Sequence, residues 1–140
     1  MIKQFDFSKK LWFVFFLFCF STILNAQVVD TLKSKQVYTM LTFCNYYKTI
    51  IDGRDSVMFY SGHIKNAVYI DAFSEEASRF LENYTNCDTL VVYCTNQTRS
   101  EIIIDKLKNM NYQGRIIYMQ DGINGWKNNG FPIEIICVKD

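Results

Sequence analysis

The sequence predicts an α/β fold, with a mainly parallel sheet and helices on both faces. Short apolar runs rich in β-branched residues alternate along the chain with segments whose apolar residues recur at helical spacing. The connections between these segments are short, as they are in right-handed strand-helix-strand units. In a sheet of this kind, functional residues collect at the edge where the parallel strands end. The fold class therefore also predicts where a site should lie.

Residues 1–26 have the order of a secretory signal peptide. Lysines precede an apolar stretch at residues 11–24, and Ala26 supplies a small residue before Gln27. The stretch is shorter than the ~20 residues that a membrane span needs, so we favour cleavage over an uncleaved anchor. Lipidation at Cys19 is a minor alternative because a bulky residue precedes it. The predicted location is periplasmic or secreted, with no membrane attachment after cleavage.

The charge balance excludes some classes of partner. The whole chain has a formal net charge of +1. Cleavage removes three lysines and one aspartate and leaves 12 basic and 13 acidic side chains, a net charge of −1. A surface with this balance has no field suited to nucleic acid or to an anionic membrane. We expect no nucleic-acid partner, no cofactor and no metal ion, and the sequence indicates no particular oligomeric state.

Four cysteines remain after cleavage, an even number in a compartment that permits disulfides. The count alone does not decide how they pair. The remaining 114 residues can bury an adequate core without crosslinks, so we interpret Cys44 and Cys137, which lie in apolar segments, as core residues. Cys87 lies in a polar turn, and we expect it to be the most exposed of these three. The fourth is Cys94.

The mature chain is predicted to begin with an arm followed by one domain. Residues 27–36 are polar and lack periodicity, which is typical of a leader outside the fold. Residues 37–140 form the predicted domain, which begins with a helix at residues 37–47 because apolar and aromatic residues recur there at i, i+3 spacing. A strand at residues 49–52 then leads into a turn at Gly53, where glycine would allow a positive φ.

The middle of the domain repeats the alternation of strand and helix. Residues 67–71 are a predicted strand, and Ser74 is the predicted N-cap of the next helix. The central unit is a strand at residues 90–93 followed by a helix from about Thr98 to Met110. The apolar stripe of the helix after Ser74 consists of Ala77, Phe80, Leu81 and Tyr84.

The last part of the domain contains shorter elements. Residues 115–119 are a predicted strand, and residues 122–130 are a predicted helical turn that carries Trp126 into the core. Pro132 ends this turn. Residues 133–138 close the chain as a last apolar strand or tail.

Cys94 follows the central strand directly and precedes the start of a helix. Free amides and the positive end of a helix dipole stabilise an anion there, which favours the reactive thiolate. Arg99 adds a fixed positive charge and a fork of donors suited to an oxyanion such as a sulfonate or phosphate. Cys94 and Arg99 would then enclose one anion-sized pocket. The alternative is that Cys94 is a small buried residue at a strand end, the usual role of a single cysteine.

Three further residues are candidates for supporting roles. Asp52 and Arg54 could form a local ion pair or brace the active loop, and we favour bracing because sites gather at strand ends. His63 is the only histidine of the chain. A catalytic base is one interpretation, but a histidine beside a glycine turn is more often a hydrogen-bonded structural residue, and we favour that role.

These segments resemble the rhodanese-like domains. The resemblance covers about residues 35–135, and each matching piece is weak alone, whereas the ordered set is specific. It implies the rhodanese-like three-layer fold. The matching pieces, in the family's order and spacing, are Asp52-Gly53-Arg54, Gly62-His63-Ile64 with Ala67, Tyr93-Cys94 with Arg99-Ser100, Gly122-Ile123 with Trp126, and Pro132.

The resemblance implies a single-domain sulfurtransferase of the thiosulfate sulfurtransferase type. In such enzymes the loop cysteine attacks the outer sulfur of a thiosulfate-like donor, holds it as a persulfide and passes it to a thiol or cyanide-like acceptor. Here Cys94 would be the nucleophile, and Arg99 would hold the anionic end of the donor. The substrate-binding loop, whose amides would surround the outer sulfur, would consist of Thr95, Asn96, Gln97, Thr98, Arg99 and Ser100.

The loop length distinguishes relatives within this resemblance. Cys94 to Arg99 is six residues inclusive, as in the sulfurtransferases, whereas the related dual-specificity phosphatases carry one residue more. The sequence departs from the family at Gln97, where many active members have glycine, and at Asp121, where the family often has a glycine before Gly122. Glutamine would be strained if that loop position requires a positive φ. The nucleophile remains in place, but the substrate could differ from thiosulfate.

Two other classes of function stay open. A non-enzymatic rhodanese-like binding module is favoured if Gln97 distorts the loop. A thiol redox protein would pair Cys94 with a second cysteine, first of all Cys87. The presence of both Cys94 and Arg99 argues against an inactive module, and the lack of a Cys-x-x-Cys pair argues against a thioredoxin-type role.

Overall fold

The structure, a computed structural model, describes residues 27–43 and 48–136. No helix in these two ranges is long and apolar enough to span a bilayer. The strands are β1 (Val29–Leu32), β2 (Lys48–Asp52), β3 (His63–Ile64), β4 (Ala67–Tyr69), β5 (Thr89–Tyr93), β6 (Arg115–Met119) and β7 (Ile133–Glu134). The helices are α1 (Ser34–Phe43), α2 (Ser56–Tyr60), α3 (Ala77–Glu82), α4 (Thr98–Asn109) and α5 (Gly122–Asn128).

One parallel sheet forms the centre of the molecule. Its strand order is β1-β6-β5-β2-β4, and each neighbouring pair is parallel. Ile51 of β2 pairs with Val92 of β5, and Val91 of β5 pairs with Ile117 of β6. The predicted parallel sheet is confirmed. Because β5 lies in the middle, its carboxyl end is flanked by the ends of β2 and β6.

Helices cover both faces of the sheet, as predicted. Successive strand residues point to opposite faces, so a continuous apolar strand supplies side chains to both. Leu90 and Val92 join a core with residues of α3 and α4, whereas Val91 and Tyr93 join a second core with residues of α1 and α5. All four side chains are fully buried. The result is a three-layer arrangement with the sheet between two helical layers.

The predicted arm at residues 27–36 is wrong, because this segment is part of the fold. Its first half contains β1, which pairs with β6, and α1 begins at Ser34, three residues before the predicted helix start. β1 is an edge strand and so tolerates polar residues, and Asp30 forms an ion pair with Arg115. The predicted signal peptide, the end of the helix predicted to reach residue 47, and Cys44 and Cys137 lie outside the described residues.

The helix after β4 is shorter than predicted. Ser74 is not its N-cap: the Ser74 hydroxyl accepts a hydrogen bond from the Glu76 amide within a turn, and α3 begins only at Ala77. Ala77 and Leu81 are buried as predicted, whereas Phe80 is exposed. A helix of six residues turns only a narrow stripe toward the sheet, so it cannot bury all the apolar residues of the segment.

Up to residue 136, where the described part of the chain ends, the C-terminal segment adds no strand to the main sheet. β7 pairs antiparallel with β3 in a two-stranded ribbon, with His63 opposite Glu134. Ile135 and Ile136, which the predicted last strand would have buried, are exposed. The ribbon therefore covers the turn after α2 rather than extending the sheet.

Trp126 is a core residue, as predicted. Only 2% of it is exposed, and it packs edge-on against the rings of Tyr38 and Phe131. Its indole N–H donates a hydrogen bond of 2.9 Å to the Pro132 carbonyl. Trp126 therefore joins α1, α5 and the segment that leads to β7.

Candidate active site

The candidate site lies at the carboxyl edge of the sheet, after β5. Cys94 follows the last residue of this strand and is fully buried. The chain then turns through residues 95–97, and α4 begins at Thr98. The structure thus brings Cys94 and the first turn of α4 together, in the arrangement expected from the sequence.

Several backbone amides of the loop after Cys94 have no backbone hydrogen-bond acceptor among the described residues. The amides of Thr95, Asn96 and Gln97 donate no backbone hydrogen bond to any other described residue. The first bond of α4 runs from the Glu101 amide to the Gln97 carbonyl, so the preceding amides of the helix have no partner inside it. Free amides at a helix N-terminus suit an anion.

Gln97 does not strain the loop. It adopts φ −124° and ψ −50°, and the described non-glycine residues with positive φ are Asn66 and Asn111. The expected penalty for glutamine at this position is therefore wrong. Gly53 also lacks the positive φ that was predicted for it. The main argument from the sequence for an inactive module thus disappears.

Arg99 lies in the first turn of α4, where its guanidinium contacts a carboxylate and an aromatic ring. Nη2 donates a hydrogen bond of 3.3 Å to Asp55 Oδ2, and Cζ lies 5.1 Å from the centroid of the Phe73 ring. Nε is buried and has no hydrogen-bond partner among the described residues. A buried donor of this kind normally requires an acceptor.

Asp55 was not predicted as a site residue. Its Oδ1 accepts a hydrogen bond of 2.9 Å from the Met58 amide and so caps α2, while Oδ2 accepts from Arg99. The capping role could be predicted from the local sequence, since aspartate is a preferred N-cap residue. The pairing with Arg99 joins residues 44 positions apart. No local pattern indicates such a contact.

Asp52 and Arg54 form a buried ion pair beside the candidate site. Arg54 Nη2 lies 2.6 Å from Asp52 Oδ2 and donates a second hydrogen bond to the Gly62 carbonyl. Its guanidinium also lies 5.8 Å from the centroid of the Tyr93 ring. Burial lowers the pKa of Arg54, but the hydrogen bonds and charge of Asp52 outweigh it and the pKa lies above its ordinary value. The pair therefore fixes the end of β2 beside the residue that precedes Cys94.

Tyr93 and His63 complete this structural support. The Tyr93 hydroxyl accepts a hydrogen bond from the Ile64 amide, and burial, with the charge of Asp52, raises the pKa of Tyr93 far above its ordinary value. His63 Nδ1 lies 3.0 Å from the Phe59 carbonyl oxygen, and its ring stacks on that of Phe59. His63 is buried with this partner. Its contacts fit the structural role favoured from the sequence.

The start of α5 forms the floor of the loop. The Ile123 amide donates a hydrogen bond of 2.8 Å to the Cys94 carbonyl. Gly122 has φ +56°, and a Cβ atom there would lie 2.4 Å from the Cys94 carbonyl oxygen. Both the dihedral angle and the space therefore require glycine at this position.

Asp121 has a structural role that explains its departure from the family pattern. Its carboxylate accepts hydrogen bonds from the amide and the hydroxyl of Ser34, at 2.8 and 2.7 Å. Ser34 is the first residue of α1, so Asp121 caps α1 from α5. Asp121, at a position where the family often has glycine, therefore connects the start of α5, beneath the loop, to α1.

Two further buried hydroxyls belong to Ser100, which was predicted as a residue of the substrate-binding loop, and to Tyr118, which was not predicted as a site residue. The Ser100 hydroxyl, just after Arg99, and the Tyr118 hydroxyl on β6 have no hydrogen-bond partner among the described residues. Burial, with contributions from Glu101 and Cys94, raises the pKa of Tyr118. Tyr118 follows the apolar pattern of a strand, so the sequence carries no signal that separates it from ordinary core residues.

A redox pair between Cys94 and Cys87 is excluded by the geometry. Cys87 precedes β5 and Cys94 follows it, and both are free. Four residue steps of strand separate the ends of β5 by about 13 Å, beyond the ~7 Å limit for the Cα atoms of a disulfide. Cys87 is partly buried, and its Sγ lies 3.3 Å from Thr49 Oγ1.

The fold and the site define a three-layer α/β protein with a cysteine loop between its central strand and the following helix. The chain belongs to the family of rhodanese-like domains, whose family model matches residues 33–129. The resemblance inferred from the sequence is confirmed.

Known relatives differ in their named activities. The dual specificity phosphatase Cdc25 from Arabidopsis thaliana is 30% identical over 105 residues, which cover 65% of this chain and 72% of that protein. The structure of a thiosulfate sulfurtransferase from Pseudomonas aeruginosa matches with a TM-score of 0.65 and 21% identity, over 79% of this chain and 21% of that one. A rhodanese-related protein from Thermoplasma volcanium matches with a TM-score of 0.63 and 20% identity, over 76% and 98%. The solved structures therefore establish the fold.

Proposed function

We propose that this chain is an exported sulfurtransferase that moves a sulfane sulfur from a thiosulfate-like donor to a thiophilic acceptor through a persulfide on Cys94. The observation that carries the proposal is the buried Nε of Arg99, a donor close in sequence to the cysteine that has no hydrogen-bond partner within residues 27–43 and 48–136. An oxyanion held by the loop would supply the missing acceptor. The free amides of residues 95–97 would supply further donors to it.

The first half of the reaction loads the enzyme. The Cys94 thiolate attacks the outer sulfur of the donor, a new S–S bond forms, and the S–S bond of thiosulfate breaks so that sulfite leaves with the bonding electrons. Arg99 and the loop amides stabilise the sulfonate oxygens during this step. Cys94 is fully buried, which keeps bulk water and bulky thiols away from the persulfide.

The second half transfers the sulfur to a small thiol or cyanide-like acceptor. The acceptor attacks the outer sulfur of the persulfide, and the Cys94 thiolate leaves with the electrons of the S–S bond. The amides that stabilise an anion in the first half also stabilise this thiolate as it is released. The same loop therefore serves both half reactions.

Phosphate-ester hydrolysis is the second candidate, because the Arabidopsis relative is named as a phosphatase. The loop argues against it. Cys94 and Arg99 are separated by four residues, one fewer than in the dual-specificity phosphatases that the family resemblance brings in. A shorter loop has less room for a tetrahedral phosphate than for the outer sulfur of a donor.

The decisive experiment is the intact mass of the protein after incubation with thiosulfate. We expect one added sulfur on the wild type and on Cys87→Ser, and none on Cys94→Ser, since a serine hydroxyl has neither the thiolate population nor the affinity for sulfur. Hydrolysis of p-nitrophenyl phosphate should be absent. Equal sulfur addition to the wild type and Cys94→Ser would disprove the mechanism, and no addition to the wild type would favour a binding module.

Export is part of the proposal and has its own test. The basic and apolar segments of residues 1–26 support a cleaved leader, with the mature protein beginning at Gln27. N-terminal sequencing of protein recovered from the periplasm or the medium should begin at Gln27. Recovery of membrane-bound protein with Met1 intact would contradict the proposal.

A further inference from the structure

We propose that Asp55 determines which donor charge the Cys94 loop accepts, so that the loop favours monoanionic donors, the organic thiosulfonates, over dianionic thiosulfate. The proposal rests on the proposed sulfur transfer at Cys94. It adds the class of donor and the residue that selects it.

The Asp55 carboxylate is held rigidly next to the arginine of the loop. Its Oδ1 is fixed by the Met58 amide at 2.9 Å, which leaves Oδ2 directed at Arg99 Nη2 at 3.3 Å. The Asp55 and Arg99 side chains are 33% and 25% exposed, so solvent screens this pair less than a pair on the open surface. The negative charge of Asp55 is therefore a fixed part of the site.

The sum of the charges around the loop favours a donor with one negative charge. Asp55 offsets the charge of Arg99, and the N-terminus of α4 adds about half a positive charge. The other arginine of this edge, Arg54, is already paired with Asp52. A monoanion matches this field, whereas the second charge of a dianion meets the Asp55 carboxylate, and the described residues supply no second unpaired cation at the loop to offset it.

The side chains next to the loop suit an organic group. The Phe73 ring lies against the Arg99 guanidinium and is 60% exposed. The Thr95 hydroxyl lies 3.6 Å from Met58 Sδ, and Met58 is 37% exposed. These exposed apolar side chains offer a surface to the substituent of an organic donor, which inorganic thiosulfate lacks.

The reaction with a thiosulfonate, R–SO₂–S⁻, is balanced without any further reactant. The Cys94 thiolate forms the new S–S bond with the terminal sulfur of the donor. The bond between that sulfur and the sulfonyl sulfur breaks, and the sulfinate R–SO₂⁻ leaves with the electron pair. The persulfide on Cys94 is the same as the one that thiosulfate would form.

The test compares Asp55→Asn with Asp88→Asn. Asparagine is as good an N-cap as aspartate, so α2 keeps its cap while the negative charge is lost. Asp88→Asn removes the same charge from the opposite edge of the sheet, just before β5. Asp55→Ser, which also retains a cap, serves as a second variant if Asp55→Asn folds poorly.

Two readouts are used. The first is the inhibition constant of sulfate (a dianion) and of methanesulfonate (a monoanion) against alkylation of Cys94 by neutral iodoacetamide. The second is the rate of persulfide formation from thiosulfate and from methanethiosulfonate. A lost carboxylate changes the interaction with a dianion about twice as much as with a monoanion. We expect roughly tenfold tighter inhibition by sulfate and roughly threefold by methanesulfonate in Asp55→Asn, with no change in Asp88→Asn.

Each outcome bears on the proposal. A larger gain for the dianion in both readouts supports it, whereas equal changes for the two anions, or a loss for both, overturn it and leave Asp55 with a structural role only. If the wild type accepts sulfur from neither donor, the proposed function fails, and the donor selectivity proposed for Asp55 falls with it. The anion competition alone still tells whether Asp55 sets the charge preference of the loop.

Discussion

Arg99 contributes both to the packing around the loop and to the chemistry proposed for it. It is the second residue of α4, forms an ion pair with Asp55 and lies over the Phe73 ring, while its Nε has no hydrogen-bond acceptor in the part of the chain that the structure describes. A planar guanidinium can make these contacts at once because its five donors point in fixed directions. A lysine at the same position has the same positive charge but lacks donors that are held in these fixed directions.

Arg99→Lys should therefore slow the loading of Cys94 without abolishing it. We expect a higher KM for the donor and a lower kcat, with a combined loss of about 1.5–3 kcal/mol in transition-state stabilisation, the range for a charged hydrogen bond. Steady-state kinetics with thiosulfate and with methanethiosulfonate measures the loss. Arg79→Lys, on the exposed face of α3, is the control and should behave as the wild type. A complete loss of labelling in Arg99→Lys would mean that the arginine is needed for folding of the loop.

The positions of the candidate site residues at the sheet edge could be predicted individually, but the distant residues that they contact could not. Cys94, Arg99, Asp52 and Arg54 follow strand ends or a helix start, and such positions are visible in a linear pattern. The contact of Asp55 with Arg99 and that of Asp121 with Ser34 join distant segments, and they depend on how the sheet edge is closed. The strain expected at Gln97 was wrong because the loop enters α4 without a left-handed residue.

At the scale of the element, α5 determines where the loop lies. Its first residues approach the chain at Cys94 so closely that the Ile123 amide bonds to the Cys94 carbonyl. This approach is possible because Gly122 has no side chain and takes φ +56°. The position of Cys94, the proposed nucleophile, therefore depends on a glycine in another element.

Gly122→Ala should destabilise the protein and impair sulfur transfer together. A left-handed alanine costs roughly 1–2 kcal/mol, and the new Cβ atom would collide with the Cys94 carbonyl and displace it. Gly130→Ala is a matched control, because Gly130 has φ +70° with no atom within 4 Å of the added Cβ, so only the conformational cost applies. Urea unfolding and persulfide formation measure the two effects. Full activity in Gly122→Ala would show that the floor of the loop can move.

Strands with a buried apolar centre were predictable, and those at the edge of the sheet were not. β2, β5 and β6 each contain two or more consecutive buried apolar residues, which appear in the sequence as short apolar runs. β1 contacts only one neighbouring strand and carries polar residues that resemble a linker. A last apolar strand or tail was predicted over residues 133–138, and within the described residues the strand β7 covers only Ile133–Glu134.

At the scale of the whole molecule, Trp126 links one helical layer to the C-terminal segment. Trp126→Ala should lower the free energy of unfolding by about 3–5 kcal/mol, since it removes a buried aromatic side chain and leaves a cavity. The Tyr38 and Phe131 rings and the Pro132 carbonyl would all lose a partner. Phe80→Ala, at an exposed position, is the control and should change stability by less than about 1 kcal/mol. Equal effects in chemical denaturation would contradict the packing of this layer.

β1 has a consequence for the order in which the molecule can assemble. Its neighbour in the sheet is β6, and the pairing of Val29 with Ile116 closes a very long segment of chain. β1 leaves the ribosome before the other strands of the domain, and it therefore has no strand to pair with until nearly all the domain has followed. Closing so long a segment costs entropy before any contact is gained, which makes this pairing a late step. β1 is thus the first strand to be synthesised but one of the last to pair, and it stays unpaired in an incompletely synthesised domain.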